Sequence, residues 1–190
     1  MSLQTYIRKQ LKSISSESRI SSDAISEIEV LLSSILEIIV ANSIVIKLNC
    51  KKSTIEARDI EASTKVSLPS QLSKFARGHA LKAYTRYNAT TVYPKGTSRS
   101  VKAGLDIPVS IVENMIRRMA ADNEYKGMRV SAESAVYASG VLEYLTIELL
   151  EGALEKTNKE TKKTISYDHV ANAMKEDIDF GALFHRRYFD

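Results

Sequence analysis

Residues 20–60 constrain this chain more than any other stretch, because they contain a length of helix that cannot stand alone. Ser21, Ser22 and Asp23 can cap and charge-match a helix N-terminus. After them the sequence runs for about seven turns without Gly or Pro. Apolar residues at 25, 28, 32, 35 and 39 form one stripe at helical spacing, and those at 31, 35, 38, 45 and 48 are expected to widen it. A face that wide needs a covering element of its own size. Residues 30–46 are apolar enough to raise a membrane span, but the run falls short of about 20 residues and carries Glu37 and Asn42. A carboxylate at a bilayer centre costs about 2.5–3.5 kcal/mol, so the stretch reads as a core helix. A basic-polar loop at 50–54 then leads into a second, shorter helix.

A chain of 190 residues holds one domain or two small ones. Gly (7) and Pro (3) are scarce and Val-rich alternation is absent, so the chain reads as all-α. The N-terminal string MSLQTYIRKQ has no uninterrupted apolar run and does not read as a signal peptide. The single cysteine, Cys50, excludes an internal disulfide and fits a reducing compartment. Beside Lys51 and Lys52 its thiol could be activated, although a plain thiol is the simpler reading. The net charge of +4 is modest. Residues 1–90 carry 13 Lys+Arg against 8 Asp+Glu, or +5, and residues 91–190 carry 14 against 15, or −1. An argument for a polyanionic partner therefore rests on where the charges sit.

Residues 5–14 read as a short amphipathic helix with Tyr6, Ile7, Leu11 and Ile14 inward and Arg8, Lys9 and Lys12 outward. After the long helix, Ser53 and Glu56 have capping-box spacing for a short helix to about Val66. Pro69 restarts the chain at a first helical position, and the next helix puts Leu72, Ala76, Ala80, Ala83 and Tyr87 on one face. The string NATTVYPKGT reads as a linker, dividing the chain into 1–88, 89–98 and 99–190. At about 35 Å of maximum reach it keeps the second part close to the first.

The second part repeats the plan. A short helix over 109–121 carries Val109, Val112, Met115, Ile116 and Met119. A polar loop, 122–129, precedes Ser131, which can cap a long helix to about Lys156 with Ala138, Leu142, Leu145, Leu149 and Ala153 in register. A basic loop, 158–164, precedes Ser166 and a short helix with Val170, Ala173 and Met174. Short–long–short thus occurs twice, and two long helices crossing in a handshake would bury both wide faces.

Short–long–short is the pattern of the histone fold, and the details carry a closer resemblance. Ile20-Ser21-Ser22, Lys51-Lys52-Ser53-Thr54-Ile55, Arg58-Asp59-Ile60, Leu68-Pro69 and the extra helix ending Tyr84-Thr85-Arg86-Tyr87 resemble the 2B-type core histone. RSVKAGL from Arg99 to Leu105, Pro108-Val109, Val136-Tyr137 and VLEYLT from Val141 to Thr146 resemble the 2A type. The chain, over about residues 5–180, resembles a fused 2B–2A histone doublet of the kind known from giant DNA viruses such as Marseillevirus.

That resemblance implies an all-α chain whose two histone folds form an intramolecular handshake pair, as in a heterodimer. It implies an architectural, non-enzymatic protein that packages and bends double-stranded DNA with a second histone doublet, in a viral factory, a virion or the host nucleus. It also implies which residues meet DNA. One paired-loop surface would be Ile20, Ser21 and Ser22 with Lys162, Lys163 and Thr164. The other would be Arg129, Val130, Ser131 and Ala132 with Lys51, Lys52, Ser53 and Thr54. A third group would join Arg8 and Lys9 to Arg117 and Arg118, and Arg99 and Lys102 match the basic lead-in of the 2A type. Free amides at helix N-termini favour phosphate oxygens, and nearby Lys or Arg supplies charge. Any one of these lysines alone would read as a solvated surface charge. No base-reading element is evident, so binding should be largely independent of sequence.

Glu143, Glu148, Glu151, Asp177 and Asp179 match the acidic patch of the family, but Gln71, His79 and Ile178 replace acidic residues expected there, so the patch should be weakened. Long basic tails and the C-terminal docking extension are missing, from which looser docking is expected, and the loop at 119–128 is about five residues longer than the 2A pattern. His79, His169 and His185 are scattered with no ligand spacing, so neither a metal nor a cofactor is expected, nor a membrane or small-molecule partner. The competing reading is a histone-fold interaction module of a transcription-type complex.

Overall fold

The computed structural model describes residues 2–89, 91–122 and 127–188. Both long helices form, and at the same length: α2 (Ser22–Asn49) and α7 (Ala132–Lys159) each run 28 residues. A serine starts each one. Ser21 Oγ accepts the Ala24 N–H at 3.2 Å, and Ser131 Oγ accepts the Ser134 N–H at 3.1 Å. The two ends are also alike. Lys51 (φ 52°) and Thr161 (φ 55°) adopt the left-handed conformation, and the next N–H, of Lys52 or Lys162, donates back to the carbonyl of Lys47 or Thr157. This is the Schellman closure, usually made with glycine at the left-handed position.

Around these helices the first half contributes α1 (Gln4–Ile14), β1 (Arg19–Ile20), β2 (Thr54–Ile55), α3 (Ala57–Ser67) and α4 (Ser70–Tyr87). The second contributes α5 (Arg99–Ala103), α6 (Val109–Asp122), β3 (Arg129–Val130), β4 (Thr164–Ile165), α8 (Tyr167–Glu176), α9 (Ile178–Leu183) and α10 (His185–Tyr188). The landmarks recur with an offset of 110 residues: 19 to 129, 22 to 132, 51 to 161 and 54 to 164. The strands are exchanged between halves. β1 pairs in parallel with β4, and β2 in parallel with β3.

The chain divides into two compact units, Met1–Ser33 with Leu145–Asp190, and Ser34–Tyr144. Each takes part of both long helices, so the units cut across the two halves of the sequence. In the first, Ile7, Leu11, Ile25, Ile28 and Leu32 are buried, as are Leu149, Ala153, Val170 and Met174. Phe180 of α9 and Phe184, between α9 and α10, are also buried, and Arg187 donates two hydrogen bonds (2.8 and 2.6 Å) to the buried Glu27, which Tyr188 also contacts. Burial alone would raise the Glu27 carboxyl pKa, but the bonds from Arg187 and Tyr188 outweigh it and hold it below the usual carboxylate range. Residues 178–188 are therefore packed and latched.

In the second unit, Ile35, Leu36, Ile39, Val40 and Ile44 are buried, as are Val112, Ile116, Val136 and Leu142. α4 approaches α7 so closely that a Cβ on Gly140 would lie 2.6 Å from Ala80 Cα. Three residues expected to widen the apolar face of α2 do not: Ile38, Val45 and Leu48 are exposed. Position 47, a lysine, is turned inward instead, 2% exposed, with Nζ 2.8 Å from both Glu56 and Asp59. The capping box of α3 is also displaced. Residues 54 and 55 are extended in β2, so the box is made by Glu56 and Asp59 rather than by Ser53 and Glu56. By length and composition α2 would qualify as a membrane span, but half of its most apolar window is buried within the protein. Of the lengthened loop at 119–128, residues 123–126 lie outside the described residues.

Candidate nucleic-acid interface

In the first unit the loop surface is built on two apolar anchors. Ile20 and Ile165 are buried, and around them Arg19 N–H donates to Lys163 O (2.8 Å) and Ser21 N–H to Ile165 O (2.9 Å). This ladder brings the segment of Ser21 and Ser22 beside that of Lys162, Lys163 and Thr164. Lys12 donates to the carbonyls of Ser16 and Ser18 at 2.7 and 2.9 Å and so ties down the loop ahead of β1. Lys12, Ser16, Glu17, Arg19, Lys163 and Thr164 line a recess of about 550 Å³. Arg8 reaches the carbonyl of Ile20 at 3.3 Å, and Lys9 is exposed on α1. Lys163 faces Glu17 at 3.2 Å and Lys162 faces Glu160 at 2.7 Å, both pairs open to solvent.

The second unit repeats the ladder. Arg129 N–H donates to Ser53 O at 2.7 Å and Ser131 N–H to Ile55 O at 3.0 Å, over buried Ile55 and Val130. Lys51, Lys52, Ser53 and Arg129 are exposed, and Thr54, Ser131 and Ala132 half-buried. Holding Lys51 left-handed costs backbone energy that a glycine would avoid, so this position keeps an ammonium where the fold would favour no side chain. Arg58, absent from the sequence-derived set, lines the adjoining recess with Thr54, Glu56, Tyr84, Ser131 and Glu133. Hydrogen bonds from Lys47 and Arg58 hold the Glu56 carboxyl below its usual range.

Two expected contacts change character. Ile20 and Val130 are buried and present backbone alone, their carbonyls taken up by Arg8 and, at a long 3.5 Å, by Arg117. Arg99 and Arg117 are both held by Glu113: its Oε1 receives Arg117 Nε (3.0 Å) and Nη2 (2.6 Å), and its Oε2 meets Arg99. Arg118 is exposed on α6 and Lys102 half-buried on α5. Arg8 and Lys9 belong to the first unit and Arg117 and Arg118 to the second.

The acidic set requires a correction. Glu143 is 5% exposed and is consumed internally. Its Oε2 accepts the N–H groups of Asp106 and Ile107 at 2.7 and 2.8 Å, and its Oε1 lies 3.2 Å from His79 Nε2. Those N–H groups sit in the turn between α5 and α6, where Ile107 is buried. Asp177 caps α9 by accepting the Phe180 N–H at 2.8 Å. Glu151 is exposed, whereas Glu148 and Asp179 are half-buried. Gln71 and Ile178, which stand where acids were expected, are exposed.

Sequence reasoning missed Arg19, although Arg129, its counterpart 110 residues on, was included. The repeated Arg-Ile/Val-Ser triplet was the available signal. It also missed Glu17, Glu113 and Glu133, the carboxylates that stand among the cations.

Residues 105–174 match the family model described as histone-like transcription factor (CBF/NF-Y) and archaeal histone. The chain is 40% identical over 87 residues to the 2A histone of Trypanosoma cruzi, covering 45% of this chain and 61% of that one. It is 35% identical over 98 residues to the 2A histone, form III, of Volvox carteri, covering 52% of this chain and 72% of the relative. To the Z variant of the 2A histone of Scheffersomyces stipitis it is 37% identical over 87 residues, 46% of this chain and 63% of that one. It therefore spans less than two thirds of the Trypanosoma and Scheffersomyces proteins. In fold it is similar to the crystal structure of the histone from Methanopyrus kandleri, with a TM-score of 0.54 and 15% identity over 92% of this chain and 94% of that one.

Proposed function

Since the chain belongs to the 2A histone family, we propose that it is an architectural protein that binds double-stranded DNA through its two paired-loop ends and bends it into nucleosome-like particles. The observation that carries the proposal is the paired-loop ladder, made twice. At each end a capped helix start, hydroxyls and exposed cations come together on a parallel strand pair. Such a surface suits phosphate oxygens and offers no element for reading base edges. The family resemblance supports a first half of 2B type and a second histone doublet as the partner that supplies the remaining histone pair. It also supports a giant-virus origin, with action in a viral factory or virion. Binding of this kind weakens steeply with salt, by about 0.9 in slope for each neutralised phosphate. Replacing Lys51 and Lys52 by Ala should flatten the plot of log affinity against log salt by about 1–2. An unchanged slope would remove this loop from the interface.

A second reading has one observation in its favour: the matching family model includes histone-like transcription factors, which are not core histones. Nuclease digestion of DNA reconstituted with this chain and its partner doublet separates the two. Discrete protected fragments mean packaging, and none would mean an interaction module.

A further inference from the structure

We propose that Glu113 is a built-in brake on DNA contact, an intramolecular rival that a DNA phosphate must displace before it can engage Arg99 and Arg117. The inference rests on the packaging reading above. Both carboxylate oxygens are committed, Oε1 to Arg117 and Oε2 to Arg99, so one anion stands between two cations. Two guanidiniums and one carboxylate leave a net charge of about +1 at this place.

Other cations of the interface also have acidic neighbours, but of a different kind. The side chain of Glu17, opposite Lys163, is 79% exposed, and that of Glu160, opposite Lys162, is 46% exposed. The Glu17 carboxylate can yield to a phosphate by rotating into water, and Glu160, although His169 Nε2 also meets it at 3.1 Å, takes both contacts on Oε2. Glu113 is 15% exposed and gripped on both oxygens, so it cannot swing aside without leaving two guanidinium contacts. Burial alone would raise its pKa, but the hydrogen bonds from Arg99 and Arg117 outweigh that and keep it ionised.

The chain contains its own comparison. Arg8 and Arg117 make the same kind of contact, guanidinium to the carbonyl of a buried strand residue, Ile20 or Val130. Four residues before Arg117 stands Glu113, whereas four residues before Arg8 stands Gln4. The contact with the strand therefore does not require the carboxylate.

The alternative is that Glu113 positions the two arginines for phosphate, and it predicts the opposite sign. The full-length chain is titrated with random-sequence double-stranded DNA over a range of salt, as wild type, Glu113→Gln, Lys51→Ala/Lys52→Ala, and Glu113→Gln in an Arg99→Gln/Arg117→Gln background. Removing one negative charge should steepen the salt slope by about 0.9, which is about eightfold tighter binding at 0.1 M salt relative to 1 M. The gain should vanish when both arginines are absent. Equal or weaker binding by Glu113→Gln, or a gain that persists without the arginines, overturns the brake. If the lysine variant flattens the slope while Glu113→Gln changes nothing, the brake fails and packaging stands. If no form binds DNA, the packaging reading falls and the brake with it.

Discussion

Lys47 gives the sharpest test of how the basic loop of the second unit is held. Its ammonium lies 2.8 Å from Glu56 Oε2 and 2.8 Å from Asp59 Oδ2, and Asp59 itself is 5% exposed. Burial alone would lower the lysine pKa, but hydrogen bonds and charge from Asp59 and Glu56 outweigh it and hold it above 10.5. Lys47→Met keeps most of the buried stem and removes the charge. Asp59 then retains the Glu56 N–H, at 2.6 Å, as its remaining hydrogen bond in this corner. Taking one partner from a buried ion pair costs about 3–5 kcal/mol. Half-exposed Glu56 can rehydrate, so the lower figure applies here, about 3 kcal/mol. In a chain of this size that lowers Tm by about 6–12 °C. The pH dependence carries a sign as well. A lysine with a raised pKa stabilises fully below its unfolded value and loses that contribution as pH rises through the folded one. The gap between wild type and variant should therefore be flat below pH 10.5 and close above it. Thermal and denaturant unfolding of the DNA-free chain measure both. The corresponding corner 110 residues on is built from Thr157, Ser166 and His169, with Ser166 N–H donating to His169 Nδ1 at 2.9 Å. Exchanging Lys47, Glu56 and Asp59 together for Thr, Ser and His should recover most of the loss. A Lys47→Met protein as stable as wild type would refute the argument.

Two further substitutions test packing. Glu27→Gln should cost about 1–2 kcal/mol, because charged hydrogen bonds from a partly exposed arginine are lost, and should speed amide exchange in α10. With a depressed carboxyl pKa, the wild type should also lose this contribution as pH falls below 4.5 through the folded value, a limb that Glu27→Gln lacks. Gly140→Ala should cost about 1–3 kcal/mol in denaturant unfolding, since the new methyl would meet backbone at Ala80 rather than a yielding side chain.

Local chemistry made most of the fold legible. The serine ahead of each long helix, the absence of Gly and Pro within the first and the repeated basic loop fix two 28-residue helices, and the second ends three residues beyond its expected limit. The choices that depend on a distant partner were illegible. Nothing local says that Ile38, Val45 and Leu48 stay exposed while Lys47 goes inside; that is decided by Asp59, twelve positions on and in another helix. The string VLEYLT identifies its family, but the role of its glutamate is set by two N–H groups about 36 residues earlier that need an acceptor. Half of the Glu113 cluster is visible as an i, i+4 pair with Arg117, and its other half, Arg99, is visible only once α5 is folded.

Each paired-loop end takes one strand from each half, so neither half alone can satisfy the backbone groups of its own loop. Joining the halves in one chain makes that pairing intramolecular and fixes its ratio at one to one. It has a further consequence. In a homodimer every substitution is made at both ends of the pair. In a tandem chain the ends share a backbone but not their side chains, and they have diverged: an ion triad against a histidine cap, and a glutamate against a glutamine before the strand-bound arginine. The backbone of the two proposed DNA contacts is repeated, whereas their charge is not. On the packaging reading, any order in which DNA leaves the two ends is expected to be set by Glu113 and Gln4 rather than by a difference in fold.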